Sequence, residues 1–183
     1  VGDITADELG VLVDRLLQDL PVAGDIEMPT YVADALSAGV KVIDFPTPQS
    51  TILFGHAGIP RKDDDFFAAY LLNHILGGSG FESRLMSEAR EERGLTYGIG
   101  SFLASRQYGD LLMGQVATAN NTVVETIDVI TEEWRKIADQ GVTQAELDAA
   151  KKYLTGAYPL RFDGNGPIAN ILAGMQFQGL SPD

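Results

Sequence analysis

The chain has no cysteine, two histidines and one tryptophan, and its 13 lysines and arginines are outnumbered by 26 aspartates and glutamates. Each shortage excludes something. Without cysteine there is no disulfide, no thiolate zinc ligand and no thiol nucleophile. A formal net charge of −13 has the wrong sign for phosphate backbones, which need clustered Lys and Arg, and for anionic membrane surfaces. Neither nucleic acid nor membrane is expected as a partner, and the ordinary consequence of the acidity is solubility. No run approaches the ~20 consecutive apolar residues of a spanning helix. Val1-Gly2-Asp3 lacks the basic and apolar start of a leader. Val1 and the Ser181-Pro182-Asp183 end both read as cut points of a longer protein, so the compartment stays open.

The scarcity of histidine bears on metal chemistry. Catalytic zinc takes three protein ligands, usually His with a carboxylate. Here only His56 and His74 are available, on different expected elements, so no metal site is expected from this chain alone. His74 lies in YLLNHIL, on an apolar helix, and reads as a hydrogen-bonded core or interface residue, with Asn73 beside it placed to cap or bridge. His56, in HAGIP on a strand, reads as structural too. No Gly-x-Ser-x-Gly occurs, so a serine nucleophile elbow is absent. Gly77-Gly78-Ser79-Gly80 follows a helix and lacks Gly-Lys-Ser/Thr, which makes it a turn and not a phosphate loop. Asp63-Asp64-Asp65 lacks the Gly and Glu of a calcium loop and reads as a solvated helix cap.

What is present is enough for a core: 183 residues, 45% of them hydrophobic, fit one domain or one domain with an extension. Val1–Ile4 reads as the tail of a strand. Thr5-x-x-Glu8 is a capping box, followed by Leu9, Leu12, Val13, Leu16 and Leu17 at helical spacing, so residues 5–20 are expected as a helix. Residues 21–31, with two prolines and a glycine, read as an irregular loop. Residues 1–37 thus form a linking helix and loop, the tail of a preceding domain being one reading, and residues 38–183 form the main domain, cut at its C-terminus. Strands are expected at 40–45, 49–59, 95–105 and 108–118, the last two joined at Arg106-Gln107. Helices are expected from Asp64 or Asp65 to Leu76, over 82–93, and over 122–139 and 143–160, the latter two opened by the capping boxes Thr122-x-x-Glu125 and Thr143-x-x-Glu146. Pro159 ends or kinks the second of these, Asp163–Pro167 reads as a turn, and residues 168–178 as a final helix. The order of elements predicts an α+β fold, a mostly antiparallel sheet covered by helices.

One stretch carries more information than any other. Ser83–Gly100, SRLMSEAREERGLTYGIG, begins with a helical period, stops at Gly94 and resumes as a strand. That hand-over brings Arg90 and Tyr97 to one junction, where a guanidinium and a phenol can bind a peptide carbonyl or an oxyanion. Without further context Arg90 reads first as a solvated helix residue paired with Glu88, Glu91 or Glu92, and Tyr97 as a half-buried strand aromatic. The stretch, with Gly77–Gly80 before it, resembles the inactive-type domain of the pitrilysin and insulinase (M16) metallopeptidases, a family that includes the mitochondrial processing peptidase and has the LuxS/MPP-like fold. The resemblance rests on Ser83-Arg84-Leu85 and on Ala89-Arg90-Glu91-Glu92-Arg93-Gly94-Leu95-Thr96-Tyr97. It extends more loosely from about Val40 to Leu180.

The resemblance implies a non-catalytic half of a zinc peptidase. The other half, on another domain or chain, would bear His-x-x-Glu-His and hold the zinc. This half would hold no cofactor, close the chamber, bind extended peptide, and present Arg90 and Tyr97, its catalytic pair, to the scissile carbonyl. Arg93 is the rival for Arg90, and the family's spacing of seven favours Arg90. Expected partners are the His-x-x-Glu-His half, a peptide, and a second copy of the chain. An alternative within the same fold is a purely structural or assembly module, like the non-peptidase members in respiratory complexes. Bacterial relatives with an exported pattern point to the periplasm.

Overall fold

The computed structural model of the chain describes residues 1–24, 26–32 and 36–181. It divides into two compact units, one of residues 31–154 and one of residues 1–30 with 155–183. In the first, three strands form one sheet: β1 (Gln49–Ala57), β2 (Ile99–Arg106) and β3 (Gly109–Ala119), in the order β1-β3-β2, with both pairings antiparallel. Burial alternates along β3, where Asp110, Leu112, Gly114, Val116 and Thr118 are buried and the residues between them are not. That period of two is what a sheet with one core face imposes.

The helical elements are α1 (Ala6–Leu17), α2 (Phe66–Asn73), α3 (Arg84–Met86), α4 (Val123–Gln140), α5 (Gln144–Ala157) and α6 (Asn165–Phe177). The core joins Leu76, Leu85, Met86, Ala89 and Leu95 to Ile99 and Val116 of the sheet and to Val129, Ile130 and Ile137 of α4, with Ile52, Phe54, Leu72 and Trp134 packed against it. This is the expected α+β architecture, an antiparallel sheet with helices. Among the described residues, every buried side chain belongs to residues 31–154. In the other unit, neither α1 nor α6 has a buried residue. The Thr5–Glu8 capping box is formed in both directions, and so is that of Thr143 and Glu146.

Several elements differ from the sequence expectation. Val40–Phe45 forms no strand: Val40, Val42, Ile43 and Phe45 are exposed, and Pro46 and Pro48, which lack a donor N–H, bound the segment. Residues 1–4 are likewise not a strand. The loop over 21–31 is irregular at every described residue, Asp25 lying outside them. The helix after Asp65 turns into a π turn at His74–Gly78, and the helix over 82–93 is α3 followed by a second π turn, Ser87–Glu92. The 122–125 capping box is not made, because the Thr122 hydroxyl donates to the Ala119 carbonyl and lies against Thr118 Oγ1 instead. Asp65 begins α2 without a side-chain cap. The hairpin pairs Arg106 with Gly109, so Gln107 and Tyr108 are the turn. Pro159 opens a 3₁₀ turn, Pro159–Phe162, just after α5, and α6 begins at Asn165, inside the expected turn.

Candidate functional site

The site lies where the second π turn hands over to β2. Ala89, fully buried, fixes the turn to the core. Gly94, at φ +63°, ends it in the left-handed region, where an L side chain is strained. Its N–H donates to the Arg90 carbonyl at 3.0 Å, and the Leu95 N–H donates to the Ala89 carbonyl at 2.8 Å. Leu95 then buries its side chain. The expected strand start at Leu95 is corrected to Ile99. Residues 95–98 are a loop outside the sheet ladder, and several of its backbone groups bond to threonine hydroxyls.

Tyr97 stands out from that loop with 87% of its surface exposed. The Arg90 guanidinium carbon lies 4.9 Å from its ring centroid, a cation–π arrangement contributing about 0.5–1 kcal/mol at an exposed site. Tyr97 is therefore not a half-buried strand aromatic. Arg93 has other partners, since its guanidinium lies 3.7 Å from Glu88 and 3.9 Å from Glu125. A shallow depression of about 430 Å³ on the sheet surface is lined in part by Gly98, Gly100, Phe102, Gln115 and Ala117. It begins at the residue after Tyr97.

The histidines are not brought together. His74 is buried and stacks on Tyr153 with centroids 5.3 Å apart. Burial pushes its pKa below the ordinary imidazole range, against the pull of the Glu82 charge. Asn73 does bridge, accepting from Ser101 Oγ at 2.8 Å and donating to the Ser101 carbonyl at 3.2 Å. His56 has both ring nitrogens engaged. Nδ1 lies 2.6 Å from the Ala57 carbonyl, which can only accept, and Nε2 lies 3.3 Å from Trp134 Nε1, which can only donate. These partners suit a ring that donates from Nδ1 and accepts at Nε2. His56 and Trp134 border an apolar pocket of about 360 Å³ that includes Leu72, Leu76, Leu112 and Ile137. Among the described residues no three His, Asp or Glu side chains cluster to hold a metal ion. The described residues therefore offer no three-ligand set of the kind a catalytic zinc takes.

A second polar feature joins Arg84 to Glu146, a residue whose sequence pattern shows only a helix cap. Glu146 accepts from Arg84 Nε at 2.6 Å and Nη2 at 2.8 Å while capping α5 through Thr143. Arg84 Nη2 also reaches the Gly141 carbonyl at 3.3 Å. The Arg84 fork, followed by the Thr143 bonds, holds the Glu146 carboxyl down at about 2. Arg84 of the Ser-Arg-Leu motif is therefore a structural clamp between α3 and α5.

Comparison with known proteins agrees with the fold. A non-peptidase homologue, YmxG of Helicobacter pylori, is 30% identical over 162 residues, 87% of this chain and 37% of that protein. An uncharacterized zinc protease of Streptomyces coelicolor is 30% identical over 131 residues, 72% of this chain and 28% of that one. The chain thus spans about a third of the length of these relatives. The crystal structure of a peptidase M16 inactive domain from Pseudomonas fluorescens superposes with a TM-score of 0.85 at 32% identity, covering 99% of this chain and 42% of that one. Residues 1–154 match the family described as the peptidase M16 inactive domain, and the chain belongs to that family.

Proposed function

We propose that this domain is the non-catalytic half of an M16 zinc peptidase, closing the chamber, binding extended peptide and supplying Arg90 and Tyr97 to the scissile carbonyl. The observation that carries the reading is the Arg90–Tyr97 pair: a guanidinium carbon 4.9 Å from the ring centroid of a phenol that is 87% exposed, with Gly98, the next residue, lining the depression on the sheet. A phenol O–H donates one hydrogen bond, and a guanidinium offers a charged fork. Both suit a peptide carbonyl and, better, the oxyanion formed when water adds to it. The zinc, its ligands and the general base would reside on the His-x-x-Glu-His half. An extended peptide would pair its backbone with a sheet edge. The periplasm remains the compartment favoured for such a protein.

The test is Tyr97→Phe in the complete peptidase that contains this domain. Losing one preorganised oxyanion donor costs about 2.7–4 kcal/mol, so kcat should fall roughly 100-fold or more while assembly and KM hold. An unchanged kcat would remove Tyr97 from the chemistry. One observation favours a second reading, a structural or assembly module with no peptidase role: the Helicobacter pylori relative is named a non-peptidase homologue. Under that reading, Arg90→Ala and Tyr97→Phe leave any associated cleavage untouched.

A further inference from the structure

We propose that Thr96 is the positioning residue of this site, locking the loop that presents Tyr97. The inference rests on the reading that Tyr97 meets the substrate. Tyr97 is exposed and Gly98, beside it, has nothing within 4 Å of where a Cβ would stand. Core packing holds the loop at the buried Leu95, and beyond that residue hydrogen bonds do the holding.

Those bonds converge on one hydroxyl. The Gly98 N–H donates to Thr96 Oγ1 at 3.1 Å, closing a turn with Tyr97 as its middle residue. This is the local side-chain-to-backbone bonding that serine and threonine use to replace a backbone turn. The same oxygen donates to the Ala117 carbonyl of β3 at 2.7 Å, with the Gly98 carbonyl at 2.9 Å. The turn is thereby fastened to a central strand. On the other flank, buried Thr118 Oγ1 donates to the Leu95 carbonyl at 2.7 Å, and Thr126 Oγ1 of α4 donates to Thr118 Oγ1 at 3.2 Å. Residues 95, 96 and 98 are therefore fixed by polar contacts, and Tyr97 hangs between them over Arg90. Of these anchors, Thr96 is the one whose loss frees Tyr97 without opening the core, since it is half-buried while Thr118 is fully enclosed.

A positioning role separates from a general structural one by what it moves. In the complete peptidase, Thr96→Val keeps the shape and removes the hydroxyl. It should lower kcat about 10-fold with KM and melting temperature near the parent values, and Thr96→Ser should restore kcat. In the Tyr97→Phe background, Thr96→Val should cost little more, because the group it positions is gone. A readout independent of turnover is the ¹⁹F resonance of 3-fluorotyrosine at position 97, assigned by its loss in Tyr97→Phe. It should be distinct in the parent and in Thr96→Ser, and move to a solvent-averaged position in Thr96→Val. If Tyr97→Phe lowers kcat and Thr96→Val does not, the positioning role is overturned and the reading of Tyr97 stands. If Tyr97→Phe leaves kcat unchanged, that reading fails, and the resonance decides: unmoved in Thr96→Val, it overturns the role of Thr96, and moved, it upholds it.

Discussion

At the scale of single residues, the glycines before the motif show how closely backbone packing dictates sequence here. A Cβ on Gly77 would lie 2.4 Å from Ser101 Oγ and 2.8 Å from Ser101 N, closer than real Cβ contacts. The π turn can press against β2 only because residue 77 has no side chain. Gly98 is the contrast, with open space where a Cβ would stand and no positive φ. Gly77→Ala is therefore expected to destabilise the domain by about 1–3 kcal/mol, the range for overpacking a filled site, and Gly98→Ala to stay within about 0.5 kcal/mol. Thermal or urea unfolding of the two variants checks the difference, and similar losses would refute it. The sequence reads Gly77–Gly80 as a turn between helices, whereas the π turn runs through Gly78 and a 3₁₀ turn starts at Gly80. The sequence did not reveal that Gly77 is required by contact with a strand more than twenty positions away, because close approach leaves no periodic signal.

At the scale of elements, the junction of α3 and α5 depends on Arg84 and Glu146. Glu146 sits well below the ordinary carboxylate value of 4.5, at about 2 in the folded chain, with the Arg84 hydrogen bonds as the largest cause. A carboxyl depressed by folding contributes stability that is complete above its unfolded value and lost as pH falls through its folded value. Acid unfolding should therefore draw on this pair between about pH 4.5 and pH 2. Arg84→Met is expected to cost about 1–3 kcal/mol at neutral pH, the range for a charge-assisted bond left unmade, and to flatten the pH dependence in that window. Denaturant midpoints measured from pH 7 down to pH 2 test both parts. Elements were the best-read level of the sequence. β1, the β2–β3 hairpin, α1, α4 and α5 all follow from period and punctuation, and two of the three capping boxes form as written. The failures have separate causes, a competing local hydrogen bond in one case and a missing strand partner in the other. Thr122 gave its hydroxyl to Ala119 and Thr118 instead of to its own helix. Val40–Phe45 alternates like a strand, yet no strand among the described residues pairs with it. That Arg90 and Tyr97 lie near one junction was legible from the helical stretch that Gly94 ends, whereas the Thr96 turn that flanks Tyr97 was not, since a threonine in a strand-like run reads as ordinary β sequence.

At the scale of the whole molecule, the sheet order places neighbours of very different sequence distance side by side. In the hairpin, Arg106 pairs with Gly109, and the ladder grows from there. On the other edge of β3, Ala57 pairs with Leu111 and Gln49 with Ala119, so β1 joins only after the intervening π turns and α3 are gathered in. Closing a long loop costs entropy before its contacts repay it. The hairpin and the helices that touch it are thus expected in the folding nucleus, and β1 outside it. Ile52→Val should mainly speed unfolding, and Val116→Ala should mainly slow folding. Chevron plots from stopped-flow mixing separate the two, and equal effects on both limbs would contradict this order of assembly. While β1 is late, the β3 edge it covers is briefly open to any other extended segment, so the newly made chain is most exposed to mispairing at the strand that later anchors the Tyr97 turn.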